Sequence, residues 1–540
     1  MAEDYQAKQT SEAPTASAQP RSELQEYLEV SQQQHTLFPR AVLVGLGAGA
    51  VAVCFRGLVA GVDGVRNVLI RWAAQSPYWG WVVAVAFSAA GATLALIMVR
   101  RYAPETSGSG IPHLKAVLHR LRDLHSRRVL FVKMFGGMFA IGSGLALGRE
   151  GPTVQMGGAV GDGISRWLKV STRDRLTLTA AGAGAGLAAA FNAPLSGLVF
   201  VLEEMQRDFR PAVFAAAFLA AAAADVIARL ASGQLPIFRV PGYPVPPLTA
   251  LPAFLVLGCL AGLLGVLFNR CLVGVLNRMS QLRTRIGLWT AALVGGSVGL
   301  VAWFYPFMVG GGHDLAEALL SGKIALVAIP VAFVVRFVLT IGSYGTGAPG
   351  GIFAPLLVLG ALLGLGMGHF CHFVTPKIVP QPEVFAVVGM AAYFTAIVRA
   401  PLTGVVLILE MTGNYDQMLP LLVSCFCAYA VAEYLKDMPI YEALLQRDLA
   451  RRGVAFEHSE PIIVEMEVEP EAPFVGREVK ELGLPPGCII VRCQMDGQEW
   501  VPTATTRLTI HMRITVVIPP QATTALALLR QGCEASERSS

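Results

Sequence analysis

The chain has 540 residues, of which 54% are hydrophobic and only 15% charged, with a mean hydropathy of +0.55. That balance excludes a soluble globular protein of this length and points to an all-α polytopic membrane protein, with the lipid bilayer as its solvent. A net charge of +5 is too modest to argue for a nucleic-acid partner.

Residues 1–40 are polar and rich in Gln, Ser, Ala and Pro, and read as a disordered cytosolic N-terminal tail. Ser22 with Gln25 is a candidate cap for a short helix there, and no apolar core precedes a cleavage site, so no cleavable signal peptide is expected. From 41 to 453 the chain reads as membrane-embedded. Runs at 251–268, 286–304 and 324–341 approach the length of about 20 residues needed to cross a hydrocarbon core. Other runs are shorter and broken by Gly and Pro, which predicts re-entrant and discontinuous helices shielded by protein or lining a polar cavity. Basic residues gather at Arg120, Arg122, Arg127 and Arg128, at Arg173 and Arg175, and at Lys436, Arg447, Arg451 and Arg452, marking cytoplasmic loops. The nine cysteines lack metal-type pairing and read as small buried hydrophobes.

Within this span Gly148-Arg149-Glu150-Gly151-Pro152 puts two charges at the join of two apolar runs. Pro belongs at a helix start and Gly tolerates the turn before it, so Glu150 is placed where a helix begins, beside unpaired amides. Two other stretches repeat this combination: Gly108-Ser109-Gly110-Ile111-Pro112 and Gly351-Ile352-Phe353-Ala354-Pro355.

The chain also echoes itself. Ala193-Pro194-Leu195-Ser196-Gly197, ending at Glu203, returns as Ala400-Pro401-Leu402-Thr403-Gly404, ending at Glu410. Upstream, Ile141-Gly142-Ser143 leading to Gly148 is matched by Ile341-Gly342-Ser343 leading to Gly351. Order and spacing both repeat, over roughly 205 residues, which predicts two halves of one transport fold, at about 41–235 and 245–435, with a site at their interface. A C-terminal helix carrying Tyr441 follows. Beyond 455 the composition changes: Glu residues alternate with apolar ones, 475–482 reads as a short helix, 488–493 and 514–518 as strands, and Asp496-Gly497 as a hairpin turn. The expectation is a soluble α+β domain at 458–522 and a tail at 523–540.

Helix starts offer amides at the positive end of the helix dipole, so the three Gly/Pro motifs suit an anion. One terminus supplies at most about 2 kcal/mol, against several kcal/mol to strip an ion of water. Several termini must therefore converge. Glu150 reads as a tethered anion competing for such a pocket when ionised and leaving it when protonated; the plainer alternative is a Glu that only stabilises its helix dipole. Arg149 reads as shaping the local potential or as an interfacial Arg. Glu203 is the repeat mate of Glu410, which favours a shared structural role. Glu204 has no mate, and a proton relay and a solvated helix end both stay open.

The motifs at 108–112, 148–152 and 351–355, in this order, resemble the CLC family of chloride channels and chloride/proton antiporters over about 41–453. The resemblance implies a homodimer of subunits built from two inverted repeats, with chloride bound by the hydroxyls of Ser109 and Tyr441 and the amides of Ile352 and Phe353. It implies Glu150 as the external gating and proton glutamate, Arg149 and Gly151 as its support, and Glu204 as the internal proton-transfer glutamate of the antiporter branch. Without the resemblance Tyr441 would pass for an interfacial aromatic. His113 and Lys115 stand where many relatives carry acidic residues. The segment beginning Leu482-Gly483-Leu484-Pro485-Pro486-Gly487 resembles the TrkA-C (RCK-C) module, which implies dimerisation and binding of a small ligand.

The expectation is thus a chloride/proton antiporter, not an enzyme, without cofactor or metal, in a prokaryotic inner membrane with both termini cytoplasmic. The alternatives are a passive chloride channel of the same fold; a potassium transport component, opposed by the lack of a Thr-Val-Gly-Tyr-Gly filter; and an intramembrane hydrolase, opposed by the lack of a nucleophile beside the carboxylates.

Overall fold

The computed structural model describes residues 23–534, apart from Pro77, Asp208, Arg239, Pro241, Pro244, 452–461, Asp496, Pro520, Gln521 and Thr523. Two compact units divide at Leu445/Gln446. The caps proposed at Ser22 and the first residue of the Asp496-Gly497 turn lie outside the described residues.

The first unit is helical. In chain order its helices are α1 Glu23–Ala73, α2 Gly80–Tyr102, α3 Ile111–Leu118, α4 Ser126–Gly142, α5 Glu150–Trp167, α6 Thr172–Phe191, α7 Pro194–Phe200 and α8 Pro211–Ser232. The second half continues with α9 Leu251–Ile286, α10 Trp289–Phe304, α11 His313–Leu320, α12 Ala328–Gly345, α13 Phe353–Val374, α14 Glu383–Val398, α15 Pro401–Thr412 and α16 Met418–Tyr434, followed by α17 Ile440–Ala450. Seven helical stretches among the described residues are long and apolar enough to cross a bilayer, while α3, α7 and α11 are far too short. The arrangement is that of a multi-pass membrane protein with discontinuous helices in two inverted repeats.

The outside is oily and the polar groups are inside. Phe131, Phe214, Leu230, Leu293, Val331 and Phe373 are exposed, whereas Lys133, Arg336, Ser109, Glu150 and Glu204 are buried. In water this would be inverted; in lipid it is the stable order.

The two halves use the same local devices. Helix α6 ends at Asn192 and α14 at Arg399, both left-handed, and each is followed by Ala-Pro and a new helix. A β-carbon on Gly157 would lie 2.1 Å from the Gly182 carbonyl oxygen, and one on Gly360 2.3 Å from that of Gly389. Backbone therefore meets backbone where α5 crosses α6 and again where α13 crosses α14.

Two boundaries and the burial of the cysteines differ from expectation. The polar N-terminal segment is helical from Glu23, because Leu37, Ala41, Val44 and Ala48 form a stripe buried against Leu178, Ala216 and Ala220 of α6 and α8. The run at 286–304 is split by Gly287, whose φ of 61° ends α9. Not every cysteine is buried: Cys54 is exposed and four others are half-buried, all of them free thiols.

The second unit carries a four-stranded antiparallel sheet in the order β1-β4-β2-β3, with β1 Ile462–Glu467, β2 Ile489–Met495, β3 Gln498–Trp500 and β4 Arg513–Ile518. Ile490, Cys493, Ile514, Val516 and Ile518 point into its core. The helix expected at 475–482 shrinks to one 3-10 turn, Val479–Glu481, between the left-handed Gly476 and Gly483. Its neighbours pair with the following loop instead: Gly476 N–H donates to Leu508 O (2.8 Å) and Val479 N–H to Thr506 O (3.0 Å). The tail expected from 523 is in fact a helix, α18 Thr524–Cys533, whose Ala525, Leu529 and Cys533 complete the core beside Phe474.

Candidate functional site

The three Gly/Pro motifs meet. Gly148 and Gly351 exchange two backbone hydrogen bonds of 2.7 Å each, joining the approach to α5 with the approach to α13. Gly108 N–H donates to Ala348 O (3.2 Å) and Gly350 N–H to Gly108 O (3.0 Å), which adds the approach to α3. Glycine is required at the centre: a β-carbon on Gly151 would stand 2.8 Å from Ser109 Cβ and 3.1 Å from Gly351 Cα. Three helix N-termini, from both halves of the repeat, thus converge within a fully buried region, as anion binding demands.

Beneath the first motif lies Lys133 of α4, fully buried, whose ammonium donates to Thr106 O (2.8 Å) and Gly108 O (2.7 Å). It satisfies carbonyls that the turn at Gly108 and Gly110 (φ 66° and 83°) leaves pointing inward. Sequence reasoning missed Lys133, although a single ammonium in the middle of an apolar helix was the signal.

Ser109 is fully buried. Its N–H donates to the Tyr344 hydroxyl (3.3 Å), and its Oγ is approached by that hydroxyl (3.4 Å) and by Ile111 N–H (3.4 Å). With Oγ accepting from two donors, the Ser109 proton is left to point elsewhere. Tyr344 also escaped the sequence reading, for an aromatic in an apolar helix carries no distinguishing mark. Tyr441, at the start of α17, is fully buried, and its hydroxyl has no hydrogen-bond partner among the described residues. That hydroxyl lies within electrostatic reach of Tyr344, Glu204 and Glu150. A buried O–H without a partner costs about 1–3 kcal/mol, so the position suits a group awaiting an acceptor. Ile352 and Phe353, fully buried, form the first turn of α13. The Phe353 ring packs on Phe394 (centroids 4.4 Å apart), Phe191 (5.5 Å) and Phe200 (6.2 Å), an aromatic collar the sequence did not reveal.

Glu150 is the first residue of α5 and only 3% exposed. Its carboxylate folds back over Gly148, where a β-carbon would lie 2.2 Å from Oε2, and faces the amides of Glu150 itself and Ala354. Arg149 Nε is 3.9 Å away, and its guanidinium donates to Ala190 O (3.4 Å). Glu150 and Ala354 also border a cavity of about 290 Å³ with Arg56, Asp63, Arg66, Arg149 and His313. Ser109, Tyr344 and Tyr441 do not line that cavity, whereas Glu150 both borders it and lies within electrostatic reach of the Tyr441 hydroxyl.

Glu204 lies on a widened, π-type turn, Val201–Gln206, that extends α7. It is buried and paired with Lys115 (Nζ to Oε1 2.8 Å). Lys115 also contacts Glu442 (3.1 Å), which in turn meets Arg207 (2.7 Å). Glu203, its neighbour, points elsewhere, to the start of α15. The structure therefore brings together Ser109, Gly151, Ile352, Phe353 and Glu150, with Tyr441 and Glu204 close by.

These features define a multi-pass membrane protein whose two inverted repeats join broken-helix N-termini in a buried, amide-rich site. The model of the voltage gated chloride channel family matches residues 91–433, and that of the TrkA-C domain matches 463–529. The chain belongs to the voltage gated chloride channel (CLC) family, with a TrkA-C domain following the membrane part in sequence. The H(+)/Cl(-) exchange transporter ClcA of Vibrio parahaemolyticus is 40% identical over 437 residues, 80% of this chain and 93% of that protein. ClcA of Cronobacter sakazakii is 39% identical over 423 residues, 77% and 91% of the two chains. Among solved structures, a slow cyanobacterial Cl-/H+ antiporter matches with a TM-score of 0.75 and 37% identity, covering 77% of this chain and 99% of that one. A eukaryotic CLC transporter matches with a TM-score of 0.66 and 25% identity, covering 84% and 80%.

Proposed function

We propose that the protein is a secondary active antiporter exchanging chloride for protons, working as a homodimer in a bacterial inner membrane with both termini cytoplasmic and without covalent catalysis. The observation that carries this is the pair of buried carboxylates, Glu150 and Glu204, both within electrostatic reach of the Tyr441 hydroxyl. A passive pore has use for the first as a gate and none for the second. The ClcA relatives and the cyanobacterial structure bear names of proton-coupled exchangers, which supports the same reading.

In this mechanism chloride sits among the Ser109 and Tyr441 hydroxyls and the amides of Ile352 and Phe353. Ionised Glu150 competes for the amides at the start of α13. A proton neutralises it, the neutral side chain withdraws, and an anion takes its place. The proton is then relayed to or from Glu204, so anion and proton move in opposite directions. Arg149 sets the potential at the gate, and Gly151 lets Ser109 and Gly351 approach α5.

Full-length protein reconstituted in liposomes and given an outward chloride gradient will drive protons inward against their own gradient. Chloride movement with no uphill proton uptake would leave a passive channel of the same fold. For the C-terminal unit we propose dimerisation and small-ligand binding that adjusts transport; transport and its ligand response unchanged after deletion of 458–540 would reduce that unit to a stability element.

A further inference from the structure

We infer that Glu442 is the point at which protons enter the Glu204 limb of the path, loading Glu204 across the ammonium of Lys115. This rests on the exchange reading above and adds to it the identity of the entry group. Glu204, Lys115, Glu442 and Arg207 form a line of alternating charge, with successive contacts of 2.8, 3.1 and 2.7 Å. Side-chain exposure rises along it from 2% and 3% to 25% and 61%. Glu442 is thus the carboxylate of the line that reaches solvent, and Glu204 the one that does not.

Lys115 Nζ touches one oxygen of each carboxylate, so those oxygens are at most about 5.9 Å apart. At the tetrahedral angle usual for two donors around an ammonium the separation falls to about 4.8 Å, and one water molecule making two hydrogen bonds of about 2.8 Å at its own tetrahedral angle spans about 4.6 Å. In the loading step Glu442 takes a proton from solvent. Its O–H bond then breaks as the bridging water accepts that proton and passes another to Glu204. Glu442 returns to a carboxylate, Glu204 becomes the neutral acid, and Lys115 remains an ammonium throughout, stabilising whichever carboxylate is charged. The other charged or titratable groups facing Glu442 are Arg207 and His119.

Position in the chain adds to the argument. Glu442 directly follows Tyr441, and Lys115 lies on α3, which begins just after Ser109. The Lys115–Glu442 contact therefore ties together the two elements that carry the anion-facing hydroxyls.

The test uses full-length protein in liposomes, with chloride efflux and proton uptake recorded together. Glu442→Gln should lower proton uptake at least tenfold while chloride efflux continues. Glu442→His should restore proton uptake, with its dependence on pH at that face moved toward the imidazole range. A Glu442→Gln variant that keeps the wild-type proton-to-chloride ratio and pH dependence overturns the proposal, while wild-type coupling confirms that exchange itself stands. Loss of both fluxes in both variants also overturns it and makes Glu442 a packing residue of α17. Wild-type protein that moves chloride without protons defeats the exchange reading, and this inference with it.

Discussion

Glu203 and Glu410 each cap the start of the helix that leads to the other. Glu410 accepts from Leu195 N–H (3.0 Å), Ser196 N–H (2.7 Å) and Ser196 Oγ (2.6 Å) at the start of α7. Glu203, following α7, accepts from Leu402 N–H (3.1 Å), Thr403 N–H (2.7 Å) and Thr403 Oγ (2.7 Å) at the start of α15. Neither Ala193 nor Ala400 can cap its own helix. The exchange is the functional meaning of the Ala-Pro-Leu echo: each half satisfies donors that the other leaves open.

Because charge-assisted hydrogen bonds contribute about 1.5–3 kcal/mol, Glu203→Gln and Glu410→Gln should each cost about 2–3 kcal/mol of stability, and by similar amounts. Thermal melts in detergent measure this. The proton-to-chloride ratio should stay unchanged in Glu203→Gln, in contrast to the variants of its neighbour.

Glu204→Gln should abolish proton flux while chloride still moves, since it removes the titrating group and leaves the anion site in place. Glu150→Ala should give chloride leak that no longer responds to pH, because nothing then competes for the amides before Ala354. Parallel chloride and proton recordings at two pH values separate these outcomes. Full coupling retained in Glu204→Gln would remove Glu204 from the path.

Much of this was legible from the chain. The helix start at Glu150, the convergence of three Gly/Pro motifs and the structural role of Glu203 followed from local chemistry and from the repeat. What escaped depended on distance in sequence. Lys115 is 89 residues from Glu204 and 327 from Glu442, so a misplaced base in the sequence became one member of an ion-paired line only once α3, α7 and α17 were packed together. The C-terminal helix escaped for another reason: two of its three core contacts, Ala525 and Cys533, are small, and the periodicity covers less than three turns.

Lys133→Met should loosen the Ser109 loop. Deleting the ammonium strands the carbonyl of Thr106 in a dry interior, at a cost of about 1–3 kcal/mol, and leaves that of Gly108 with the Gly350 N–H as its remaining donor. The fold should survive at reduced melting temperature, because the methionine fills most of the volume. Chloride affinity, measured by calorimetric titration, should fall by tenfold or more, since Ser109 loses the backing that fixes its position.

Gly151→Ala probes the same place from the other side. The added methyl meets Ser109 Cβ and the backbone at Gly351, neither of which is a flexible side-chain end. Chloride flux should drop more than tenfold. Gly157→Ala, at the crossing of α5 and α6, should instead impair assembly, because its methyl meets the backbone of Gly182 and Gly186 and nothing of the anion site. Comparing flux per correctly folded protein in the two variants distinguishes damage to the site from damage to the fold.

The inclusion of α18 in the C-terminal unit has a chemical signature. Burial pushes the Cys533 thiol up to about 11, with the neighbouring Glu534 adding to the effect. At pH 8 only about one molecule in a thousand then carries the reactive thiolate. Cys533 should therefore resist alkylation in the native protein and react when the unit is unfolded by urea. Leu529→Ala, which empties a fully buried position beside it, should cost about 2–5 kcal/mol and expose Cys533 at lower urea concentration. Mass spectrometry of alkylated peptides reads both. Reaction of native Cys533 at the rate of a free thiol would return 523–534 to the status of a loose tail.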